Sequence, residues 1–231
     1  PESLVKHAEE IGAKLLMVQR DFDFASMESV QWNYRFHPQS SDGQRRNRNS
    51  LPFPALRGAY QLSNAACALT VLECLNEQLP VDIGAIKRGL LLVENPGRFQ
   101  VLPGRPLVVL DVGHNPHAAR ALRRSLINLA FAQKRTAVFS MLSDKDIDGV
   151  LEIVKDQFDE WNIAPLGVPR GMTVEALQAK LAEHGIDNVN VFETVTAAYR
   201  AALAKATEND RIVVFGSFHT VADVMAVLKE H

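Results

Sequence analysis

The second half of the chain alternates between short, mostly apolar runs and stretches with the period of an amphipathic helix. The apolar runs are residues 107–110, 136–141, 161–166, 189–192 and 211–215, and a helical pattern follows each one. Strands that are apolar on both faces are typical of a parallel sheet covered by helices on both sides. The alternation therefore predicts an α/β domain of about 130 residues, doubly wound around a mainly parallel sheet.

The first half of the chain has a mixed pattern. Gly12 is suited to end an N-terminal helix, because glycine readily adopts the left-handed conformation of a helix cap. The pattern then predicts a buried strand at 13–19, an alternating strand at 32–36, a polar loop at 40–50, and apolar helices at 61–75 and 81–92. The best boundary is the Glu-Asn-Pro-Gly-Arg segment at 94–98, since proline and glycine end the preceding helix. We expect two regions, residues 1–97 and 98–231.

Composition excludes several classes of protein. The chain is 47% hydrophobic and 23% charged with a formal net charge of −2, so no basic field would attract nucleic acid. No run of 18 apolar residues predicts a membrane span. Cys67 and Cys74 lie two turns apart on one predicted helix, about 10 Å along its axis, which is too far for a disulfide. These features favour a cytoplasmic protein. The chain opens at Pro1 inside a helical pattern, which we interpret as a truncation.

Candidate binding residues follow the predicted strands. Ligands of open α/β sheets bind beyond the carboxyl ends of the strands. The segments there are 111–117 (DVGHNPH), 143–146 (SDKD), 167–171 (GVPRG) and 216–220 (GSFHT). Their imidazole, ammonium, guanidinium, carboxylate and hydroxyl groups suit a small ligand that carries both charges, such as an amino acid.

Some of these residues also have structural interpretations, which stay open. Asn115 and Pro116 fit a helix N-cap followed by proline at the first helical position. Residues 144–146 fit a solvated helix start, and Arg170 fits a surface arginine as well as an anion-binding one. The cluster of Arg45, Arg46 and Arg48 favours a solvated loop over a polyanion site, because no aromatic residues are interleaved.

Two phosphate-binding motifs are missing from the 231 residues. No G-x-G-x-x-G follows a strand, and no G-x-x-x-x-G-K-[ST] occurs. No His, Asp or Glu spacing predicts a metal site either.

Five motifs occur in an order that matches a known family. They are residues 62–68 (LSNAACA), 96–99 (PGRF), 110–116 (LDVGHNP), 141–146 (MLSDKD) and 216–220 (GSFHT). Together they resemble the bifunctional dihydrofolate synthase/folylpolyglutamate synthases of the Mur ligase superfamily, from about residue 51 onward. The resemblance implies that residues 1–97 are the incomplete C-terminal part of a central ATP-binding domain. Residues 98–231 would be the Rossmann-like glutamate-ligase domain.

The resemblance also implies a reaction. ATP phosphorylates a carboxylate of dihydropteroate or folate, the amine of L-glutamate attacks the acyl phosphate, and phosphate leaves. The family's Mg²⁺ ligands and P-loop would lie in a missing N-terminal part, and a monomer is expected. The resemblance implies that Asn64 contacts adenine and Arg98 contacts the ATP phosphates, while Asp111 contacts the ribose or orients Arg98. It implies that His114, Ser217 and His219 contact glutamate. It implies catalytic roles for His114 and Lys145.

Because the P-loop is missing, we expect these 231 residues alone neither to hydrolyse ATP nor to make folates. Three alternatives remain: a cell-wall amino-acid ligase of the same superfamily, a non-catalytic amino-acid-binding module, and a dehydrogenase. The dehydrogenase is the weakest, since the glycine fingerprint is absent.

Overall fold

The structure, a computed structural model, describes residues 2–27, 30–38, 45–58 and 60–229. It divides into two compact units. The first comprises Pro1–Ala55 and Tyr60–Val93, and the second comprises Leu56–Ala59 and Glu94–His231. The division between Val93 and Glu94 falls at the start of the predicted boundary segment.

The first unit combines a three-stranded antiparallel sheet with three helices. Its elements are α1 (Glu2–Glu10), β1 (Phe22–Met27), β2 (Gln31–Phe36), β3 (Arg46–Pro52), α2 (Gln61–Cys74) and α3 (Ile83–Leu92), and the strand order is β1-β2-β3. The alternating pattern of β2 buries Trp32, Tyr34 and Phe36 on one face. These rings pack with Leu69 of α2 and Ile86 of α3, which makes the core of the unit.

Two expectations for the first unit are wrong. Residues 13–19 form no strand, and only Val18 makes an isolated bridge, to Phe22. Residues 46–50, expected in a polar loop, belong to β3, whereas residues 40–44 lie outside the described residues.

The unexpected strand pairs with β2, and a buried carboxylate on α2 neutralises its arginines. Glu73 is 8% exposed and accepts from Arg46 Nη1 at 3.0 Å and from Arg48 Nε at 2.5 Å. Alternate strand residues point to one face, so both guanidinium groups reach the same carboxylate. The two arginines are therefore ion-paired rather than solvated in a loop.

The second unit is a six-stranded sheet with helices on both faces. Its elements are β4 (Gln100–Leu102), β5 (Leu107–Asp111), α4 (Pro116–Ile127), β6 (Arg135–Phe139), α5 (Ile147–Val154), β7 (Glu160–Ile163), α6 (Val174–Glu183), β8 (Val189–Val191), α7 (Val195–Lys205), β9 (Arg211–Phe215) and α8 (Phe218–Leu228). The strand order is β4-β5-β9-β6-β7-β8. Only β4, which was not predicted, pairs antiparallel. The doubly wound, mainly parallel fold is confirmed.

The apolar strands of this unit are buried on both faces. Val109 and Val213 pack with residues of α4, α5 and α6, while Val108 and Ile212 pack with residues of α7 and α8. Successive side chains of a strand point to opposite faces, so each mostly apolar run contributes to two cores. Along the part of the chain that the structure describes, no helix has the length and apolar character needed to cross a membrane.

Candidate functional site

The position of β9 between β5 and β6 decides which loops meet. The three strands are parallel, with Asp111, Phe215 and Phe139 in register at their carboxyl ends. The chain order reverses here, because β5 lies on one side of β9 and β6 on the other. Such a switch point is where doubly wound sheets bind ligands.

Asp111, the last residue of β5, ties the preceding loop to the sheet. Its Oδ1 accepts from the backbone N–H of Gly113 at 2.7 Å, and its Oδ2 accepts from that of Phe99 at 3.1 Å. Burial raises the pKa of the Asp111 carboxyl above its ordinary value, although the two N–H donors and the nearby Arg98 and His114 oppose the rise. An anionic Asp111 is thus held by backbone dipoles next to two potential cations.

The segment that carries Arg98 has a tightly determined backbone. Gly97 has φ +73°, and a Cβ there would lie 2.8 Å from Val112 Cγ1. The Gly97 carbonyl accepts from Val112 N at 2.8 Å. Phe99 has φ +45°, which a bulky side chain rarely adopts, and its ring is 6% exposed in the core. Packing and hydrogen bonds on both sides therefore determine where the backbone of Arg98 lies.

The side chains of Arg98 and His114 share one aromatic neighbour. Phe218, the first residue of α8, is 53% exposed, unusual for a ring that follows a buried strand. Arg98 Cζ lies 5.4 Å from the centroid of its ring, and the His114 ring lies 5.9 Å away. Sequence reasoning did not single out Phe218. The signal was its place between Ser217 and His219, because the first turn of a helix beyond a strand end faces the ligand edge.

His114 has a defined tautomer when its ring is neutral. Its Nδ1 lies 2.9 Å from the carbonyl oxygen of Val112. A carbonyl can only accept, so Nδ1 carries the hydrogen and Nε2 retains its lone pair. The neutral ring can therefore accept a proton at Nε2.

Three predicted site residues also hold the local helices. Asn115 Oδ1 accepts from Ala118 N at 2.9 Å, which makes it the N-cap of α4. Ser217, 3% exposed, caps α8 through its Oγ, which accepts from His219 N at 3.2 Å. Asp146 caps α5. These contacts match the structural interpretation of Asn115, and they leave the hydroxyl hydrogen of Ser217 free to donate.

Lys145 and Arg170 flank one carboxylate on the loop after β6. Asp144 Oδ2 lies 2.8 Å from Arg170 Nη1 and 3.5 Å from Lys145 Nζ. Desolvation raises the pKa of Asp144, but the two cations outweigh it and the net shift is downward. No contact joins Lys145 to the group around Phe218 among the described residues, and Asn64 lies on α2 of the other unit, exposed to solvent.

No metal centre is visible in the described ranges of the chain. Within them, no three His, Cys, Asp or Glu side chains are grouped so as to hold an ion. Cys67 and Cys74 are both exposed free thiols.

Residues 97–218 match the family model described as Mur ligase, glutamate ligase domain. The chain belongs to the Mur ligase family. The match begins at Gly97 and ends at Phe218, so it contains both the Arg98 segment and the loop after β9.

The relatives of this Mur ligase chain include curated enzymes named for folate synthesis. The dihydrofolate synthase/folylpolyglutamate synthase of Escherichia coli strain K12 is 38% identical over 230 residues, which are 99% of this chain and 50% of that protein. The Haemophilus influenzae protein of the same name is 32% identical over 254 residues, with 99% and 54% covered. The chain spans about half the length of the curated relatives it matches.

Solved structures agree with this relationship. Escherichia coli FolC in complex with DHPP and ADP has a TM-score of 0.83 and 36% identity, covering 100% of this chain and 51% of that one. A Yersinia pestis bifunctional folylpolyglutamate synthase/dihydrofolate synthase, complexed with AMPPNP and Mn ion, has a TM-score of 0.80 and 41% identity, covering 99% and 51%. The resemblance found in the five motifs is confirmed.

Proposed function

We propose that these residues form the glutamate-ligase side of an ATP-dependent ligase that joins L-glutamate to dihydropteroate or folate. The main support is that 99–100% of the chain is similar to enzymes whose structures were solved in complex with DHPP and ADP or with AMPPNP. A structure of the same enzyme class with Mn, AMPPNP and L-Glutamate bound is 40% identical, with a TM-score of 0.80. An amino acid and a nucleotide fit the charges at the carboxyl ends of β5, β9 and β6.

Arg98 and Asp111 are proposed to bind the nucleotide. The guanidinium of Arg98 is exposed, lies near the Phe218 ring and presents donors suited to phosphate oxygens. Asp111 holds the loop that carries Arg98. Each of its two carboxylate oxygens accepts one hydrogen bond from a backbone N–H and has a further lone pair for a second donor. A ribose hydroxyl could donate to the remaining positions. Asn64 is proposed to contact adenine.

His114 is proposed to prepare the amine. The amine of L-glutamate is an ammonium group at neutral pH, and it must lose a proton before it can attack the acyl phosphate. Nε2 of His114 can accept that proton, because Nδ1 donates to Val112. Ser217 and His219 would donate to the glutamate carboxylates, and Lys145 would neutralise charge on the leaving phosphate.

The metal is assigned no step here. Mn appears in a related structure with AMPPNP, and a divalent ion neutralises phosphate charge when bound. The described residues hold no group of three His, Cys, Asp or Glu side chains for an ion, and the location of the Mg²⁺ ligands in a further N-terminal part stays a prediction. Inactivity of these 231 residues alone, a monomeric state and a cytoplasmic location stay predictions.

The test uses the product of the complete reading frame that contains these residues. With ATP, Mg²⁺, dihydropteroate and L-glutamate we expect ADP, phosphate and dihydrofolate, identified by mass spectrometry. The His114→Ala variant should lose turnover while retaining ADP affinity in calorimetry. Turnover only with a cell-wall precursor would favour the other Mur-type ligase, and glutamate binding without turnover would favour the binding module. Either result would refute the proposal.

A further inference from the structure

A cavity lies at the amino-terminal edge of the sheet, away from the switch point. Its volume is about 500 Å³, and it opens between the end of α4 and the starts of β6 and β9. That volume is in the range of small-molecule sites. The residues that line it include Leu126, Ile127, Leu129, Phe131, Arg135 and Arg211.

Arg211 is a buried cation that has no carboxylate partner in the part of the chain that the structure describes. It is 6% exposed, its Nη1 donates to Leu126 O at 3.3 Å, and its Nη2 donates to Ala130 O. Its Nε has no hydrogen-bond partner among the described residues. The adjacent Asp210 is used elsewhere, because its two oxygens accept from the backbone N–H groups of Lys134 and Thr207. A buried charge that is compensated only by carbonyl groups is costly.

A second guanidinium lies beside the first. Arg135 and Arg211 are paired in register on neighbouring parallel strands, so their side chains leave the sheet on the same face. Arg135 makes a bidentate pair with Asp159, with Nη2–Oδ1 at 2.7 Å and Nε–Oδ2 at 3.0 Å. Burial and the charge of Arg135 both lower the pKa of Arg211. The pair with Asp159 is neutral, which leaves the cavity with one uncompensated positive charge.

The remaining wall of the cavity is apolar. Phe131, in the loop after α4, is 93% exposed and Ile127, the last residue of α4, is 61% exposed, while Leu126 and Leu129 are more buried. An exposed ring beside an uncompensated guanidinium suits a ligand that has one anionic end and one apolar end.

We propose that this cavity binds a small carboxylate with an apolar body of about the size of one aromatic ring. The carboxylate would lie near Arg211 and Arg135, and the body would pack against Ile127 and Phe131. The proposal does not depend on the ligase function, because the cavity and the switch point lie at opposite edges of the sheet.

The experiment titrates the ¹⁵N-labelled 231-residue protein with benzoate and, separately, with benzyl alcohol as the neutral probe. Two-dimensional amide spectra should show saturable shifts at residues 129–133, 135 and 211, with a Kd on the order of 1 mM for so small a ligand. Benzyl alcohol should bind about tenfold more weakly, because it lacks the charge.

Variants separate the cavity from a general effect of the probe. Arg211 also holds the carbonyl groups at the end of α4, so the test relies on Phe131, whose exposed ring can be removed without opening the core. Phe131→Ala should weaken benzoate binding, while Leu203→Ala, at an exposed position of α7, should leave it unchanged. Equal binding of the two probes, shifts near His114 instead, no saturation, or an unaffected Phe131→Ala variant would overturn the proposal.

Discussion

Gly97→Ala should destabilise the second unit by more than the left-handed backbone conformation of residue 97 alone would cost. Gly97 has φ +73°, and an added Cβ would meet Val112 Cγ1 at 2.8 Å and Val221 Cγ1 at 3.1 Å. Gly185 provides a matched control, because it has φ +70° and no atom within 4 Å of its added Cβ. The difference between the two variants therefore isolates the steric conflict next to Arg98.

The expected magnitudes follow from these contacts. A left-handed alanine costs about 1–2 kcal/mol, which is the full expectation for Gly185→Ala. Gly97→Ala adds overpacking against two β-branched side chains, about 1–3 kcal/mol, for a sum of about 2–5 kcal/mol. The entropy that alanine removes from the unfolded chain is common to both variants and cancels.

Urea unfolding in a Trp32→Phe background measures the difference. The chain has two tryptophans, so Trp161 is then the sole one, and it is 1% exposed in the core of the second unit. Its fluorescence reports that unit alone. Equal free energies of unfolding for Gly97→Ala and Gly185→Ala would refute the claim that the backbone before Arg98 is fixed by packing.

Three further predictions concern other contacts. Glu73→Gln should lower the free energy of unfolding of the first unit by about 3 kcal/mol in urea melts, because it leaves two guanidinium groups around a neutral amide. Phe218→Leu should weaken ADP binding about two- to fivefold in calorimetry by removing the ring near Arg98, and Phe218→Tyr should restore it. Hydrogen bonds from His184 and Lys180 lower the pKa of the Asp148 carboxyl. Its contribution to stability is therefore present above the ordinary carboxyl pKa of 3.8 and is lost as pH falls through the lowered pKa. In melts at a series of pH values, Asp148→Asn should lose less stability on acidification than the unchanged protein.

Each of these has a contradicting result. Glu77, just beyond α2, is exposed, so Glu77→Gln is the control for Glu73→Gln. Equal losses in the free energy of unfolding for the two variants would contradict the ion-pair argument. A Phe218→Leu variant with unchanged ADP affinity would show that the ring does not orient Arg98. If Asp148→Asn loses as much stability on acidification as the unchanged protein, the contacts of Asp148 to the neighbouring helix do not persist in solution.

The sequence predicted the second unit better than the first, for a physical reason. In the parallel sheet each strand is buried on both faces, so its apolar run carries the whole signal. In the first unit, β3 is polar, and Arg46 and Arg48 lie in a strand that pairs with β2 while their guanidinium groups bind Glu73. No local pattern reports a partner that is 25 or 27 residues away.

The sequence by itself determined the doubly wound fold, the Mur ligase relationship and the set of loops that carry charged residues. Only the tertiary structure decided how those residues are held. The position of β9 between β5 and β6 brings Phe218 beside Arg98 and His114, although Phe218 is more than 100 positions from either of them in the chain. It also places Arg135 beside Arg211, a pairing of two cations that no local pattern would predict. Sequence patterns report which face of an element is buried, but the neighbours across a sheet depend on strand order, which is settled by the packing of the whole unit.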